Sequence, residues 1–566
     1  MHLPHAEPRS SIYYRYKVFD AWLPSENAEP QRHSVVIVGA GPIGLVTALL
    51  LAKSGVKSVV LESERQVSEG SRAIAFTRRS MEILQQTGVA NRVSAMGLPW
   101  RFGNSYFRGQ RVFRMENPHD PDDRFEPLIN IQQQYLEEFL IEAAQASPLI
   151  ELRWGNKLLA VKQEGQGVAL DVDTPAGPYA LQADWLVAAD GARSVVRTQM
   201  GLKLEGASYE GKFVIADIRV DLPLPTERLA FFDPEWNPGN TILMHQEPHG
   251  LWRLDYQLPP DETPEQALQP ESLKARINAQ LAMIGHAGIP WEMDWCSVYS
   301  ARALTLPNYV HDRVLFVGDA AHLLPIFGVR GANTGFQDAQ ALAWRLALVA
   351  KDLSPPALLT TYSQERVAAA REIIDEAGKS TRFMTPPTRG FRLLRDAVLS
   401  LSLTHPFVGP LYHWRTSRPH EYSASPLNSC DDDNAQFLTG PAHGAPAKNI
   451  RLGADGHLLD HLDHRFCLLY ATTGPALPKA LQATVEAIRQ EGIALQVLAV
   501  GAESPVAGAD QTLSDGSGHL RERYGLAIEG GAYLLRPDQH VCARWRQLDA
   551  GHLRFALMRA TGLQGD

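Results

Sequence analysis

Cysteine is scarce: four residues in 566, at Cys296, Cys430, Cys467 and Cys542, scattered and without a C-x-x-C pair. That argues against a disulfide framework and a cysteine zinc site, and it fits a reducing compartment, with the cytoplasm as the expected location. No stretch of about twenty apolar residues exists, so no bilayer span is expected. The opening "MHLPHAEPRSSIYYRYKVFD" has no apolar core of signal-peptide length. Concentrated Lys/Arg runs are also missing and the formal net charge is −9, which speaks against nucleic acid and anionic membrane surfaces as partners. No G-x-S-x-G elbow occurs. What is present is an ordinary globular composition, 45% apolar and 21% charged. The length suggests roughly two to four domains.

Residues 1–33 read as a polar, proline-bearing arm. The texture then changes. "SVVIVGAGPIGLVTALLLAKSGVKSVVLESE" predicts a strand at Val35–Val38, a glycine turn, an apolar helix from about Pro42 to Ser54, and a strand at Ser58–Leu61. Gly55 suits the position just past the helix. This is one βαβ unit with a right-handed crossover. Helices are expected near Arg78–Gln86, stopped by Gly88, and at about Gln133–Ala146. Residues 205–300 read as a β-rich insert, with runs such as "KFVIADIRVDL" and "LWRLDYQLPP" separated by turn residues. "DRVLFVGD" returns to a buried strand, and "NTGFQDAQALAWRLALVA" is a long helix.

Residues 418–445 read as a linker. Beyond it, a strand at "RFCLLYAT", a helix, a strand, a short helix, a hairpin and a last helix near Asp549 follow the order of a thioredoxin-like module without its C-x-x-C. Cys467 falls inside a strand, so a packing or dimer role is expected rather than thiol chemistry. The fold class is therefore α/β. A Rossmann-like dinucleotide domain (34–204 and 301–417) carries an inserted β-rich substrate domain (205–300), and a thioredoxin-like α/β domain follows (446–566).

Gly39-Ala40-Gly41-Pro42-Ile43-Gly44 is G-x-G-x-x-G between a strand and a helix. Gly39 permits the tight turn, Gly41 lets backbone approach a pyrophosphate, and Gly44 lets helix and strand pack closely. The helix N-terminus then faces the phosphates. Glu62, about twenty residues on, would accept hydrogen bonds from a ribose. This fingerprint leaves NAD and FAD both open. Two later stretches favour FAD. Asp190-Gly191-Ala192-Arg193-Ser194, with Arg197 after it, follows the strand "WLVAAD", and Gly318-Asp319 follows "VLFV". Acid–glycine pairs at strand ends mark the carboxyl edge of an open sheet, where ligands bind. Asp319 can take hydroxyl protons of a sugar-like chain, and the glycine-rich 328–335 segment can present N–H groups to an anionic oxygen. NAD has neither a ribityl chain nor a fused ring system needing such a second cradle.

These three motifs, "GAGPIG", "DGARSVVR" and "GDAAHLLP…GANTGFQDA", resemble the single-component FAD-dependent aromatic-ring monooxygenases, the class of 4-hydroxybenzoate hydroxylase and phenol hydroxylase, over about residues 34–415. The tail resembles that of the phenol hydroxylase and 3-(3-hydroxyphenyl)propionate hydroxylase branch. The resemblance implies FAD as cofactor, NADH or NADPH as dissociable co-substrate, and oxygen transfer from a C4a-hydroperoxide to a small phenolic substrate. It implies a homodimer. It assigns Gly39, Gly41, Pro42, Ile43, Gly44, Glu62 and Ser63 to the ADP half and Arg72 to the pyrophosphate. Gln133, in a Q-x-x-x-E pattern with Glu137, falls beside the ribityl chain, and Gly318 and Asp319 bind it. Pro325, Gly331, Ala332 and Asn333 fall at the flavin ring, the last two through backbone N–H. Asp190 and Arg193 serve FAD and NAD(P)H handling.

One departure bears on the substrate. The family usually has two prolines after "GDAAH"; here Pro325-Ile326 stands, so the polar contact moves to the Ile326 carbonyl or is lost. Arg330 also occupies a position often held by a smaller or amide residue. Candidates for helping a phenol ionise come from the insert: His245, Arg253, Tyr256 and Tyr299. Rival outcomes are epoxidation, hydroxylation with loss of halide or nitrite, and a flavin-binding regulatory protein without turnover. "GASYEGKF" mimics a phosphate loop but puts Phe213 where Ser or Thr must bind magnesium. The His457–His464 cluster reads as a solvated turn rather than a metal site.

Overall fold

The computed structural model describes residues 1–24, 32–70, 72–259, 261–325, 327–411, 418–430, 437–453, 456–527 and 530–563. The predicted βαβ unit opens it as β1 (Arg32–Val38), α1 (Pro42–Lys53) and β2 (Ser58–Glu62). β1 thus starts inside the expected arm. Chain order continues with α2 (Arg78–Thr87), the hairpin β3 (Phe102–Phe107) and β4 (Gln110–Glu116), α3 (Gln133–Gln145), β5 (Ile150–Trp154) and β6 (Gly177–Ala188). The insert supplies β7 (Glu205–Arg219), β8 (Arg228–Phe232), β9 (Thr241–Glu247), β10 (Leu251–Gln257), α4 (Pro270–Met283) and β11 (Glu292–Thr305). β12 (Val314–Phe316), α5 (Gly331–Ala350), α6 (Leu358–Met384) and α7 (Arg389–Ser402) follow. The C-terminal part holds β13 (Phe466–Ala471), α8 (Lys479–Gln490), β14 (Leu495–Val500), the expected short helix at His519–Tyr524, β15 (Ala532–Leu535), β16 (Val541–Trp545) and α9 (Ala550–Ala560); a short strand at Gln511–Leu513, which the sequence reading lacked, pairs with β14.

The first sheet has eight strands: β12–β6–β1–β2–β5 are all parallel, and Val310–His311, Gly167–Thr174 and Lys157–Glu164 join them by antiparallel pairing. Its central strands are continuous apolar runs because both faces are covered. From β1 the chain moves to β2 and β5 on one side, then returns to β6 and β12 on the other. The reversal opens a crevice at the carboxyl ends of β1 and β6.

The second sheet differs from the expected insert. Its eight strands take in β3 and β4, which the sequence reading placed in the dinucleotide segment, and a two-residue strand at His322–Leu323. β3 pairs in parallel with β8, and Tyr106 stacks on Phe231 at 4.9 Å. At the opposite edge His322 and Leu323 pair with Thr305 and Leu304. The loop after Val317 is thereby stitched into both sheets. Side chains alternate across the second sheet. Ile242, Met244, Trp252, Leu254 and Tyr256 pack against α4. Phe213, Ala230, Phe232 and Leu243 pack against Phe327, Met384 and Leu399, on the side of the first sheet.

The C-terminal sheet docks on α2, α5 and α6. Arg79 Nη2 donates to Asp538 O at 2.7 Å, Trp344 Nε1 to Asp538 Oδ2 at 3.0 Å, and Arg536 Nη1 to Glu365 at 2.7 Å. Parts of the expected linker are packed, since Tyr422, Leu427 and Phe437 are buried. The polar-arm reading also gives way: Tyr14, Tyr16 and Phe19 are buried, and Phe19 stacks on Trp154 at 4.3 Å. No helix among the described residues is long and apolar enough to cross a membrane.

Candidate active site

The three sequence motifs meet at one sheet edge. Val38, Ala188 and Phe316 stand in register on neighbouring parallel strands. Gly39, Asp190 and Asp319 therefore emerge side by side. Gly39 has φ +107°, and a Cβ there would stand 2.4 Å from Ala189 O. A Cβ on Gly44 would stand 2.0 Å from Gly39 O. Gly41 is different: among the described residues nothing lies within 4 Å of its would-be Cβ. Its lack of a side chain opens space before α1, where Pro42 holds the first helical position. Ile43 reaches the last motif, since a Cβ on Gly335 would stand 2.7 Å from Ile43 Cδ1 and one on Gly318 3.2 Å from its Cγ1.

Glu62 braces the turn. Its carboxylate accepts from Ala40 N–H and Glu64 N–H, both at 2.9 Å, and from Ser63 Oγ at 3.2 Å. Burial raises its carboxyl above the usual range against those bonds. The loop after it is fixed by α3. Gln133 Oε1 accepts from Ala73 N–H at 3.1 Å and its Nε2 donates to Glu137 Oε1 at 2.7 Å. Glu137 Oε2 accepts from Ser68 N–H at 2.7 Å. Arg72 is exposed, and its charge reaches Asp319.

Asp190 Oδ2 accepts from Val196 N–H at 3.0 Å, while its buried Oδ1 has no hydrogen-bond partner among the described residues. Arg193 is exposed. Arg197, which the sequence reading noted without a role, ties two motifs: it donates to Ala192 O at 2.7 Å and to Ala320 O at 2.9 Å. Its place inside "DGARSVVR" was the available signal. Asp319 is exposed between buried Gly318 and Ala320, yet protein crowds it closely enough that desolvation raises its carboxyl, against His322, Arg72 and Arg197.

The approach to α5 is held from behind. Asp338 Oδ2 accepts from Gly318 N–H at 3.1 Å and lies 2.6 Å from His322 Nε2, and Arg366 Nε donates to its Oδ1 at 2.6 Å. Burial raises the Asp338 carboxyl, but Arg366 and His322 outweigh it and hold the group below its usual range. Asn333 does more than offer a backbone N–H. Its Oδ1 accepts from Thr77 N–H at 2.8 Å and Ser80 Oγ at 2.6 Å, and its Nδ2 donates to Ala75 O and Val329 O, both at 3.0 Å. Val329 sits at φ +61°, a costly conformation for a β-branched residue that these bonds maintain. Pro325 is buried, Gly331 and Ala332 are half-buried at the α5 N-terminus, and nothing described lies within 4 Å of a Cβ on Gly331. Ile326 lies outside the described residues.

The substrate candidates separate. His245 and Arg253 are cross-strand partners on the face turned toward the first sheet, where Arg253 Nη1 reaches Arg72 O at 3.5 Å. Tyr256 corrects the expectation: it lies on the opposite face, among the residues that pack on α4. Residues 253 and 256 of one strand have opposite parity, so no strand can turn both the same way. Arg253 is engaged by both oxygens of Asp217 at 2.7 Å and lies 3.6 Å from Glu247. Burial, with Arg228 and Arg253 nearby, pushes the His245 imidazole down to about 3, so it is neutral. Tyr299 stacks on Phe213 at 5.6 Å, and its hydroxyl has no partner among the described residues. Asp255 was missed by sequence reasoning. It shares the face of His245 and Arg253, its carboxylate lies 4.0 Å from His245 Nδ1, and burial pushes its carboxyl up to about 7.

Residues 32–377 match the family described as FAD binding domain. The chain belongs to that family. A 3-(3-hydroxy-phenyl)propionate/3-hydroxycinnamic acid hydroxylase of Comamonas testosteroni is 29% identical over 380 residues, 66% of this chain and 63% of that protein. The enzyme of the same name from Mycolicibacterium smegmatis is 30% identical over 375 residues, 65% and 64% of the two chains. The match thus spans less than two thirds of those relatives' length. Among solved structures, the flavin-dependent monooxygenase PieE with FAD and substrate superposes with TM-score 0.78 at 25% identity, covering 95% of this chain and 100% of that one. Aklavinone-11 hydroxylase with FAD and aklavinone gives 0.74 at 25%, covering 94% and 99%.

The residues of this FAD-binding domain fit the cofactor. Among the described residues, open space lies before Gly41 and Gly331, each at a helix N-terminus suited to an anionic group. Between them Asp319 and the unpartnered Asp190 Oδ1 can accept from hydroxyls.

Proposed function

We propose that the protein is an FAD-dependent monooxygenase that hydroxylates a phenolic ring, using O2 and NADH or NADPH. The observation that supports this reading is the pairing of Val314–Phe316 into the first sheet and His322–Leu323 into the second, with Asp319 on the short stretch between them and Phe213, Phe232 and Phe327 clustered on the second sheet. Bound FAD supplies acceptance of hydride from NAD(P)H and activation of O2. The N–H groups of Gly331 and Ala332 at the start of α5 are left without intrahelical partners and can hold an anionic oxygen of the cofactor. Phe213, Phe327 and Leu243 form a buried apolar wall that keeps water from the reacting ring. Asp255 lies on the same face with its carboxyl raised to about 7, so near neutral pH it is placed to take the proton of a phenol. The C-terminal domain, thioredoxin-like in element order, packs rather than reacts. Cys467 and Cys542 are buried in its strands, and burial pushes the Cys542 thiol up to about 12.

The purified holoenzyme should oxidise NAD(P)H faster with some members of a phenol panel. Under 18O2 each hydroxylated product should carry one labelled oxygen. NAD(P)H oxidation with no labelled product across the panel would reject the reading while leaving FAD binding intact.

A further inference from the structure

The segment before β1 lies outside the matched family stretch, which begins at residue 32, yet it is bonded along one loop of the cofactor site. His2 Nε2 lies 2.6 Å from Ser63 O. Phe19 N–H donates to Arg65 O at 2.8 Å. Gln66 takes Arg9 N–H on its Oε1 at 2.9 Å and donates to Glu7 O at 2.7 Å. Arg9 Nη1 donates to Val67 O at 2.6 Å, Tyr16 Oη to Ser68 O at 3.2 Å, and Gly70 N–H to Tyr16 Oη at 3.4 Å. These bonds cover the loop from Ser63 to Gly70, between the acid-bearing end of β2 and Arg72.

The same segment grips the second sheet. Ser11 Oγ and Ile12 N–H both donate to Asp294 Oδ1 on β11 at 2.7 Å, and Arg219, at the end of β7, donates to Ile12 O. The loop is thus clamped between α3, through Gln133 and Glu137, and this outer segment. We infer that residues 2–19 form a strap that positions the 63–70 loop for FAD and ties it to the substrate-side sheet, so that the strap slows cofactor release. The physical reason is preorganisation: backbone groups of the loop already bonded to the strap lose less conformational freedom when the cofactor arrives. Coupling of this kind is reciprocal, so bound FAD must hold the strap as firmly as the strap holds FAD.

The test uses the holoenzyme of the full chain beside a form lacking residues 2–10. That stretch is exposed or half-buried and its removal leaves buried Tyr14, Tyr16 and Phe19 in place. FAD release, followed as the rise in flavin fluorescence after dilution, should be about tenfold faster in the shortened form. Arg9→Ala should release faster than the full chain, with Arg9→Lys between the two. Each change should lower the melting temperature of the FAD-loaded protein more than that of the FAD-stripped protein. In the full chain, tryptic cleavage at Arg9, Arg15 and Lys17 should slow when FAD is added. Equal release rates would overturn the proposal. So would equal loss of melting temperature with and without FAD, or cleavage indifferent to FAD.

Discussion

Ile43 and Gly335 touch where the first and last glycine motifs cross: a Cβ on Gly335 would stand 2.7 Å from Ile43 Cδ1 and 3.3 Å from Gly318 Cα. Gly335→Ala should therefore cost about 1–3 kcal/mol in urea unfolding. Combining it with Ile43→Ala should cost less than the sum of the single changes, because the shortened side chain vacates the clash.

Asp338 joins Gly318, His322 and Arg366 in a fully buried cluster. Asp338→Asn leaves Arg366 short of its counter-charge and should destabilise by about 3–5 kcal/mol. The native carboxyl is held below its usual range. Its stabilising contribution is therefore complete above the unfolded carboxylate range and is lost as pH falls through the folded value. Melting temperatures below about pH 4 should fall less steeply in Asp338→Asn than in the wild type.

Asp319 stands exposed in the cleft, so Asp319→Ala should leave the FAD-stripped protein within about 0.5 kcal/mol of wild type. FAD should bind about ten- to a hundredfold more weakly, as expected for loss of a charged hydrogen-bond acceptor. Fluorescence titration of the apoprotein checks both the affinity and its separation from folding.

Asp255 should show opposite effects on stability and turnover. Its folded value near 7 lies above the ordinary 3.8, so the native state holds the proton more tightly. Wild-type stability should then fall as pH rises from about 4 to about 7 and level off above. Asp255→Asn should remove that slope and melt higher at pH 8. If the group takes the phenol proton, the same change should lower turnover about a hundredfold or more at neutral pH. Melting curves across pH and product formation per NAD(P)H are the measurements.

Much of the cofactor side was legible because it is local. The glycine turn, the helix opening at Pro42 and the acid at Glu62 lie within one βαβ unit, where spacing alone sets geometry. The substrate side was less so. Arg253 and Tyr256 both looked suitable, and only strand parity, once the strand was placed, sends Tyr256 to α4. Asp255 carried no motif; its carboxyl is raised by burial in the assembled sheet, with Asp217 on β7 adding to the effect and Arg253 opposing it. Residues 1–33 read as a polar, proline-bearing arm, yet Tyr14 and Tyr16 are core residues because the loop they cover is contributed by another segment.

By itself the sequence determined that the chain holds a dinucleotide fingerprint, two further acid–glycine strand ends and a separate C-terminal module. These are short-range features whose chemistry follows from residue type and spacing. Only the tertiary structure decided that strands from 102–116 complete the second sheet, that His322–Leu323 is stitched into that same sheet, and that the arm fastens the cofactor loop. Those contacts join residues tens to hundreds apart along the chain, for instance Ser11 with Asp294. Pairing of that kind is set by which buried faces and unpaired backbone groups remain to be satisfied once the local elements have formed.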